Sequence, residues 1–337
     1  MNRPRTVLAM SAETRDSVLD PAALRRLERT VQIDTGLLAV DFSPRDTALT
    51  RALSEAEVLF TGWGCPPLTR QALAGMPRLR AVVHAAGSVK GHMTEAAWEC
   101  GITVSTAAAA NALPVAEYTL AAVLFANKRV LAGAEAYRRT RDRVRLLEHF
   151  PTVGNYRRTI GVVGASAVGR RVIELLRPFD LTVLVHDPYL EPSEAALLGA
   201  TPVELDDLVR RSDVVTIHAP ELPETRNLFG AARIALMRDG ATLVNTARGS
   251  LVDTQALTAE LVSGRLHAVL DITVPDVLPA GSPLYDLPNV LLTPHMAGSL
   301  GGELRRLADT AIDELERYAQ GLPFAHPVHA AALVHSA

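Results

Sequence analysis

Residues 161–170 read GVVGASAVGR, and this stretch decides the fold of the central part of the chain. It overlaps the apolar run TIGVVGA (159–165), which has the composition of a buried strand, and leads into a helical pattern from Val168 to Phe179. Gly164 stands where the strand ends, and Gly169 lies at the start of the predicted helix. A strand, a glycine turn and a helix in this order predict the opening unit of a doubly wound α/β domain.

Five further apolar runs continue this pattern towards the C-terminus. They carry few polar residues on either face, as strands do when helices cover both sides of a parallel sheet. We therefore predict a Rossmann-type doubly wound parallel sheet. The runs are LTVLVHD (181–187), VVTIHA (214–219), ATLVNTA (241–247), HAVLDI (267–272) and NVLLTPH (289–295).

The N-terminal third repeats the alternation more loosely, which predicts a second, smaller flavodoxin-like α/β domain. The stretch 301–321 has apolar residues at helical spacing, so we expect this helix to fold back onto the smaller domain. The predicted organisation is a substrate domain made of residues 1–106 plus 299–337 and a cofactor domain made of residues 107–298. The N-terminal strand candidates are TVLAM (6–10), EVLF (57–60) and RAVVHAA (80–86).

Composition excludes several classes of function. The 337-residue chain has a formal net charge of −3, so it lacks the basic excess that non-specific nucleic-acid binding requires. Its two cysteines, Cys65 and Cys100, form no C-x-x-C pair, and no Cys and His residues cluster at metal-ligand spacing. Neither a disulfide framework nor a metal site is therefore predicted. A small molecule is the expected partner.

No targeting segment is evident from the sequence. The apolar run near the N-terminus, VLAM, is far shorter than the core of a signal peptide, which favours a cytoplasmic location. The Ala- and Leu-rich stretch 106–126 is interrupted by Asn111, Pro114 and Glu117, so we interpret it as a buried helix rather than a membrane span.

The glycine turn has the context of a dinucleotide site, although Ser166 replaces the middle glycine of G-x-G-x-x-G. Its hydroxyl is able to donate a hydrogen bond to a phosphate oxygen. The next strand ends in Asp187, and a carboxylate there accepts the ribose hydroxyls of NAD and repels the 2′-phosphate of NADP. NAD is therefore the predicted cofactor. The alternative is a domain without a cofactor, in which the glycines only form a turn.

Three later segments each place a polar residue after an apolar strand: Arg248, Asp276 and His295. The carboxyl ends of parallel strands face the ligand crevice, so these side chains are expected to lie near one another. Each also has a simpler interpretation taken alone. Arg248 is also typical of a surface ion pair, Asp276 of a solvent-exposed loop, and His295 of a hydrogen-bonded position in the core.

Together these segments resemble the D-isomer-specific 2-hydroxyacid dehydrogenase family over about Ala81 to Ala319. The resemblance implies an NAD-dependent oxidoreductase that interconverts a 2-oxo acid and its D-2-hydroxy acid, and a homodimer formed through the cofactor domain. It also implies that Arg248, Asp276 and His295 are the catalytic set. The motifs that carry it are HAPELPETRNLF (218–229), LVNTARGSLVDT (243–254) and SPLYDLPNVLLTPHMAG (282–298).

The chemistry of 2-oxo acid reduction requires these residue types. The guanidinium of Arg248 holds the carboxylate and polarises the ketone with forked donors and a permanent charge. The imidazolium of His295 supplies the proton to the forming alkoxide near neutral pH. A carboxylate beside the histidine orients it and keeps it protonated. The family usually carries Glu at that position, so Asp276 shortens the reach by about 1.5 Å.

The resemblance assigns further residues to the cofactor and the substrate. Asp271 is expected to receive the nicotinamide carboxamide, together with the carbonyl oxygen of Thr246. Backbone N–H groups of Ala86, Gly87 and Ser88 are expected to bind the substrate carboxylate, with Asn111 nearby. The remaining cofactor residues implied are Gly164, Ser166, Ala167, Val168, Gly169, Asp187, His218, Ala219, Pro220, Thr225 and Gly298.

The family commonly has a second glycine two residues after Gly87, whereas Val89 and then Lys90 stand there in this chain, and the segment YRRTRDRVR (137–145) is strongly basic. We hypothesise that Lys90 or this segment meets a second anionic group on the substrate. The alternative is that both are solvated surface charges, as charge runs usually are.

Two other functions remain open at this point. One is oxidation of a small anion, since formate and phosphite dehydrogenases look similar. The other is an NAD-sensing regulatory protein with little turnover, as in the C-terminal-binding co-repressors. NADH binding without turnover across a panel of 2-oxo acids would favour the regulator.

Overall fold

The computed structural model describes residues 3–43, 46–145, 148 and 153–333, and it divides the chain into two compact units. Unit 1 comprises the chain up to Ala112 and the segment that begins at Ser299; unit 2 runs from Leu113 to Gly298. The first division falls inside a helix, Ala108–Lys128, whereas the sequence-based boundary was drawn just before that helix. The basic segment 137–145 belongs to unit 2.

Unit 1 is built on a sheet of four parallel strands with one short antiparallel edge strand. The order is β1-β2-β3-β4-β12, and the buried Val, Leu, Phe and Ala residues of the parallel strands point to both faces. The strands are β1 (Thr6–Ala9), β2 (Val58–Thr61), β3 (Ala81–His84), β4 (Thr103–Thr106) and β12 (Pro327–Val328).

Helices cover both faces of this sheet and enclose two apolar clusters. The long helix Leu304–Ala319 buries Ala308, Ile312 and Leu315 against one face, as its apolar spacing predicts. Its outer face is held by Arg26, which bonds Asp313 and Glu316. The helices are α1 (Ala12–Val18), α2 (Pro21–Thr30), α3 (Thr47–Glu55), α4 (Arg70–Ala74), α5 (Glu95–Glu99) and, towards the C-terminus, α13 (Leu304–Ala319) and α14 (Ala330–Leu333).

Unit 2 contains seven strands, all of them parallel, in the order β11-β10-β9-β8-β5-β6-β7. Strand β5 lies inside the sheet, β6 and β7 follow it on one side, and the chain then returns to add β8 to β11 on the other side. Strands β5 and β8 therefore form a topological switch point. The strands are β5 (Thr159–Val163), β6 (Thr182–His186), β7 (Thr201–Pro202), β8 (Val214–Ile217), β9 (Thr242–Asn245), β10 (His267–Leu270) and β11 (Val290–Leu292).

Two apolar clusters lie on the two faces of this sheet. Close helix packing needs a glycine in β5, because a Cβ at Gly161 would collide with the side chain of Leu208. The helices are α6 (Ala108–Lys128), α7 (Val130–Thr140), α8 (Ala167–Leu176), α9 (Pro192–Leu198), α10 (Leu205–Arg211), α11 (Ala231–Ala235) and α12 (Thr254–Val262).

Helix α6 is the one helix among the described residues that is long and apolar enough to cross a membrane. Its residues Ala116, Ala122 and Val123 are buried in the core of unit 2. A core helix of this kind passes the same test of length and composition as a membrane span.

A pair of buried histidines stands at the carboxyl edge of the unit 1 sheet. His84 ends β3, its Nδ1 lies 2.9 Å from the hydroxyl of Thr61, and its ring centroid is 4.7 Å from that of His92. Burial lowers the pKa of His84 to about 3 and that of His92 to about 4, so both rings are neutral in the folded protein.

These two histidines should make the stability of unit 1 fall in acid. Between about pH 6.5 and pH 4 these imidazoles are protonated in the unfolded chain and neutral in the folded protein. Each ring therefore lowers the free energy of unfolding by about 1.4 kcal/mol for every unit by which the pH falls. We expect His92→Leu to reduce this slope by about one proton in urea unfolding followed from pH 7 to pH 4.5. An unchanged slope would contradict the assignment; His329→Leu, at an exposed position, is the control.

Candidate cofactor and active site

The glycine turn after β5 is shaped by two close backbone contacts. Gly164 has φ +96°, and a Cβ there would lie 2.6 Å from the backbone nitrogen of Ala219. A Cβ at Gly169 would collide with the carbonyl oxygen of Gly164, so helix α8 packs directly on the turn. Only glycine fits either position.

Ser166 is the N-cap of helix α8, and its hydroxyl oxygen accepts a hydrogen bond from the nitrogen of Gly169 at 3.4 Å. Because the oxygen is the acceptor, the hydroxyl proton stays available to an anion. The backbone N–H groups at the start of the helix add the favourable end of its dipole. This turn therefore suits a dinucleotide phosphate despite the missing middle glycine.

Asp187, just after β6, is tied to the same turn. One carboxylate oxygen accepts the N–H of Ala165 at 2.7 Å and the other accepts the N–H of Tyr189 at 2.8 Å. Its side chain is half-buried, so lone pairs remain for ribose hydroxyls. The nearby guanidinium of Arg170 pairs with Glu194 at 2.5 Å and donates to the carbonyl of Ala165. Because Arg170 is engaged in this way, the carboxylate of Asp187 gives this side of the turn a negative charge.

The loop after β8 approaches the turn through its backbone. His218 is buried, its Nε2 lies 2.9 Å from the hydroxyl of Thr216, and burial lowers its pKa to about 3. Its imidazole is thus a structural group, and the predicted contribution of residues 218–220 to a cofactor is limited to their backbone. Thr225 closes this loop by donating to the carbonyl of Pro220 at 2.7 Å and accepting from the N–H of Leu222.

The turn that carries Arg248 is organised by Asn245, a buried residue at the end of β9 that the sequence interpretation passed over. Its amide donates to the carbonyl of Arg248 at 2.9 Å and accepts from the N–H of Ala247 at 3.0 Å. A Cβ at Gly249 would collide with the carbonyl of Thr273, so this turn packs on the segment that leads to Asp276. Thr246 is half-buried, with its hydroxyl 3.1 Å from that of Thr119.

The carboxylate of Asp271 anchors the loop that follows β11. Asp271 is 2% exposed, and its two oxygens accept hydrogen bonds from the hydroxyl of Thr293 and from the N–H groups of Met296 and Ala297, at 2.6 to 2.9 Å. Its main-chain oxygen accepts the N–H of His295 at 2.9 Å. Asp271, the residue predicted to receive the nicotinamide carboxamide, therefore holds the T-P-H-M-A segment through side-chain hydrogen bonds to three of its residues.

His295 is held in the left-handed region of the backbone by this grip, with φ +54°. Its imidazole is exposed at the edge of the sheet. Tyr118 extends the network by donating to the hydroxyl of Thr293 at 2.8 Å, because the proton of that threonine is given to Asp271. The loop presents one imidazole from a rigid support. Gly298, which closes the same loop, is half-buried.

Asp276 lies on an exposed turn after β10, where the hydroxyl of Thr273 donates to the carbonyl of Pro275 at 2.7 Å. Within the described residues no hydrogen bond or ion pair joins the carboxylate of Asp276 to His295. The three catalytic candidates are thus gathered by topology, since β9, β10 and β11 are neighbours and each candidate follows one of them. They are not joined by direct side-chain contacts.

In unit 1, the predicted substrate residues surround the loop after β3. Ala86 is buried, and its carbonyl accepts the N–H of Ala107 at 3.1 Å. A Cβ at Gly87 would lie 3.4 Å from the amide nitrogen of Asn111, whose oxygen accepts the N–H of Ser299 at 3.1 Å. Ser88 and Lys90 are exposed. The loop and Asn111 therefore do come together.

Trp63 is a candidate that the sequence interpretation missed. It follows β2, the strand beside β3, and its side chain is 43% exposed and lies outside every described apolar cluster. The backbone on either side of it is closely packed, because a Cβ at Gly62 would meet Thr14 at 2.8 Å and one at Gly64 would meet Ser11 at 2.8 Å. The sequence feature that points to this candidate is an aromatic residue between two glycines at the end of a strand.

Two arginines of the basic segment 137–145 form ion pairs among the residues described. Arg138 pairs with Glu135 at 3.0 Å and Arg145 with Glu148 at 2.9 Å, both on exposed side chains. Exposed pairs of this kind are solvated and contribute little to binding or stability. This favours the surface-charge interpretation of the segment.

Residues 120–297 match the family model described as D-isomer specific 2-hydroxyacid dehydrogenase, NAD binding domain. The chain is 31% identical over 304 residues to D-3-phosphoglycerate dehydrogenase of Methanocaldococcus jannaschii, covering 88% of this chain and 56% of that protein. It is 33% identical over 286 residues to glyoxylate reductase of Aeropyrum pernix, covering 82% and 84%. A crystal structure of a phosphoglycerate oxidoreductase from Rhizobium etli superposes with a TM-score of 0.80 at 25% identity, covering 97% and 98%.

These comparisons confirm the predicted Rossmann-type sheet and a nicotinamide dinucleotide as its cofactor. The chain spans about half the length of the phosphoglycerate dehydrogenases that it matches. It spans most of the length of the matched glyoxylate reductase.

The grip of Asp271 on the His295 loop is testable by stability. In Asp271→Asn the charge is lost and an amide NH2 group replaces one of the two acceptor oxygens, so it faces the N–H donor of either Met296 or Ala297, and we expect the free energy of unfolding to fall by about 3 kcal/mol. The measurement is urea unfolding at pH 7. Asp276→Asn is the matched control and should change the value by less than about 0.5 kcal/mol. Equal effects of the two substitutions would contradict the proposed anchoring.

Proposed function

This chain belongs to the D-isomer specific 2-hydroxyacid dehydrogenase family, and we propose that it transfers a hydride between NAD(H) and a 2-oxo acid/D-2-hydroxy acid pair. One observation carries the proposal. The anchored loop presents His295, and the Asn245-supported turn presents Arg248, at the same edge of the sheet as the glycine turn. That edge is where ligands of doubly wound sheets bind.

Each group has a defined task in this reaction. When bound, the nicotinamide supplies or takes up the hydride. Arg248 binds the substrate carboxylate and polarises the carbonyl group, since its guanidinium is permanently charged. His295 gives its proton to the carbonyl oxygen during reduction and takes it back during oxidation. The exposure of His295 leaves its ring accessible to a substrate.

Asp276 acts at longer range than the corresponding glutamate of the family is expected to act. Its carboxylate is exposed and makes no described contact with His295, so its field reaches the imidazole through water. Solvent screening weakens the support that a carboxylate gives to the protonated ring.

The cofactor preference follows from Asp187, which we propose accepts the adenosine ribose hydroxyls of NAD. Its carboxylate repels a 2′-phosphate, and Arg170 is engaged by Glu194. Two further parts of the proposal come from the sequence and the family resemblance alone: a cytoplasmic location and a homodimer formed through the cofactor domain.

The reaction is tested by a turnover screen of 2-oxo acids with NADH, using His295→Asn and Arg248→Gln. We expect kcat/KM to fall by about 10²–10⁴ for the histidine variant and by about 10²–10³ for the arginine variant. NADH fluorescence quenching should persist in both, and the exposed His329→Asn is the control. Turnover that survives His295→Asn would contradict the assigned roles. Quenching without turnover in the parent protein would favour a regulatory function.

The substrate side chain is the second point to test. Trp63, which follows the strand next to β3, favours an apolar substrate side chain, whereas Lys90 is the residue suited to a second carboxylate or phosphate. We expect Trp63→Ala to lower kcat/KM for phenylpyruvate by about tenfold or more, because it removes apolar contact area, and to leave glyoxylate little changed. An unchanged KM of Lys90→Ala for every active dianionic substrate would remove the hypothesis of a second anionic group.

A further inference from the structure

A cluster of arginines lies at the amino ends of three neighbouring strands in unit 2, at the edge opposite the glycine turn. Arg158 precedes β5, Asp213 precedes β8 and Arg238 stands in the turn before β9. Together with Arg129, at the end of α6, they line a largely enclosed cavity of about 90 Å³. An adjoining, more open cavity of about 510 Å³ is lined by Arg157 together with Arg158, Asp213 and Arg238.

Positive charge exceeds negative charge in this cluster. The carboxylate of Asp213 accepts the N–H of Thr159 at 2.8 Å and pairs with Arg158 at 2.9 Å, whereas Arg238 lies 4.0 Å away. Asp239, the second acid in the cavity wall, is 89% exposed and lies 3.5 Å from a different arginine, Arg265. The residues outside the described ranges include no aspartate or glutamate that could add a counter-charge.

The pKa values of two basic groups in this region are lowered by burial and by a positively charged neighbour. Arg129 is partly buried, and both burial and the neighbouring Arg158 lower its pKa, with Asp213 opposing them. The imidazole of His267 has its pKa lowered to about 4 by burial and by Arg129, so it stays neutral. The wall of the smaller cavity has three guanidiniums and two carboxylates, and a bound anion would offset the excess positive charge.

Among the described residues, the guanidinium groups of this cluster make few hydrogen bonds; Arg158 donates to the carbonyl of Gly154 at 3.2 Å and to Asp213. Arg129 donates to the hydroxyl of Thr242 at 3.0 Å and to the carbonyl of Gly240, and Arg238 donates through Nε to the carbonyl of Arg210 at 2.8 Å. A guanidinium has five N–H groups, so most donors of these residues are available to a ligand or to water.

We propose that this cavity binds a tetrahedral dianion, namely inorganic phosphate or sulfate or the phosphate group of a small ester. A volume of about 90 Å³ holds roughly three water molecules, which is enough for one such ion. The larger adjoining cavity, beside Tyr156, leaves space for the organic part of an ester.

This site is separate from the proposed reaction. Strand β5 has five residues, so the cluster lies about 16 Å along the strand from the glycine turn. The ion would contact residues from α6, β5 and β9 and thereby stabilise unit 2 when it binds. Binding of the ion and the resulting stabilisation of unit 2 do not depend on whether the chain is a dehydrogenase.

The experiment is isothermal titration of the full chain with inorganic phosphate in NaCl buffer at constant ionic strength. We expect one site per chain, and Arg238→Gln should weaken the affinity by about tenfold or more, because it removes a charged donor. Arg157→Gln, at an exposed position, serves the same purpose if the first variant folds poorly. Arg211→Gln, whose guanidinium pairs with Asp207, is the matched control and should bind as the parent does.

A parallel titration with glycerol phosphate distinguishes the two sources of the ion. Tighter binding of the ester than of phosphate, lost in Arg157→Gln, assigns the site to a phosphorylated metabolite. Equal binding assigns it to the free ion. Absence of phosphate binding, or equal binding by the parent and both cavity variants, would overturn the proposal.

Discussion

The buried carboxylate of Asp271 is the interaction on which the active edge of unit 2 depends. It joins the end of β10 to the loop after β11 through bonds from Thr293, Met296 and Ala297, and its carbonyl holds the backbone of His295. A charged acceptor that is fully satisfied by donors is stable in a buried setting, where an unpaired one is not. The left-handed conformation of His295 is maintained by this set of bonds.

Much of the fold was predictable because the central strands of both sheets are parallel and buried on both faces. Their strands are short apolar runs, and each central strand of unit 2 was visible in the sequence for that reason. Strand β7 was missed, since Thr201–Pro202 is two residues long, exposed and at the edge of the sheet. No hydrophobic period exists in so short a segment. The boundary between units was also less visible, because an uninterrupted helix contains it.

The site was predictable at the level of which strand end carries which residue, and less so at the level of contacts. Arg248, Asp276 and His295 do follow adjacent strands, but the exposed position of Asp276 depends on the turn around Thr273, which has no periodic signature. The partners of Asp271 lie more than twenty residues further along the chain. Side-chain hydrogen bonds over such separations are set by tertiary packing.

Asp187 links coenzyme choice to the shape of the phosphate-binding turn. The same carboxylate that we propose discriminates against a 2′-phosphate also receives the N–H of Ala165 within that turn. Exchanging it for alanine or a basic residue would release two backbone donors, the N–H groups of Ala165 and Tyr189, while relaxing the proposed selectivity. Redesign towards NADP thus needs a replacement acceptor for those N–H groups, and an asparagine or serine is better suited to this than an alanine or arginine.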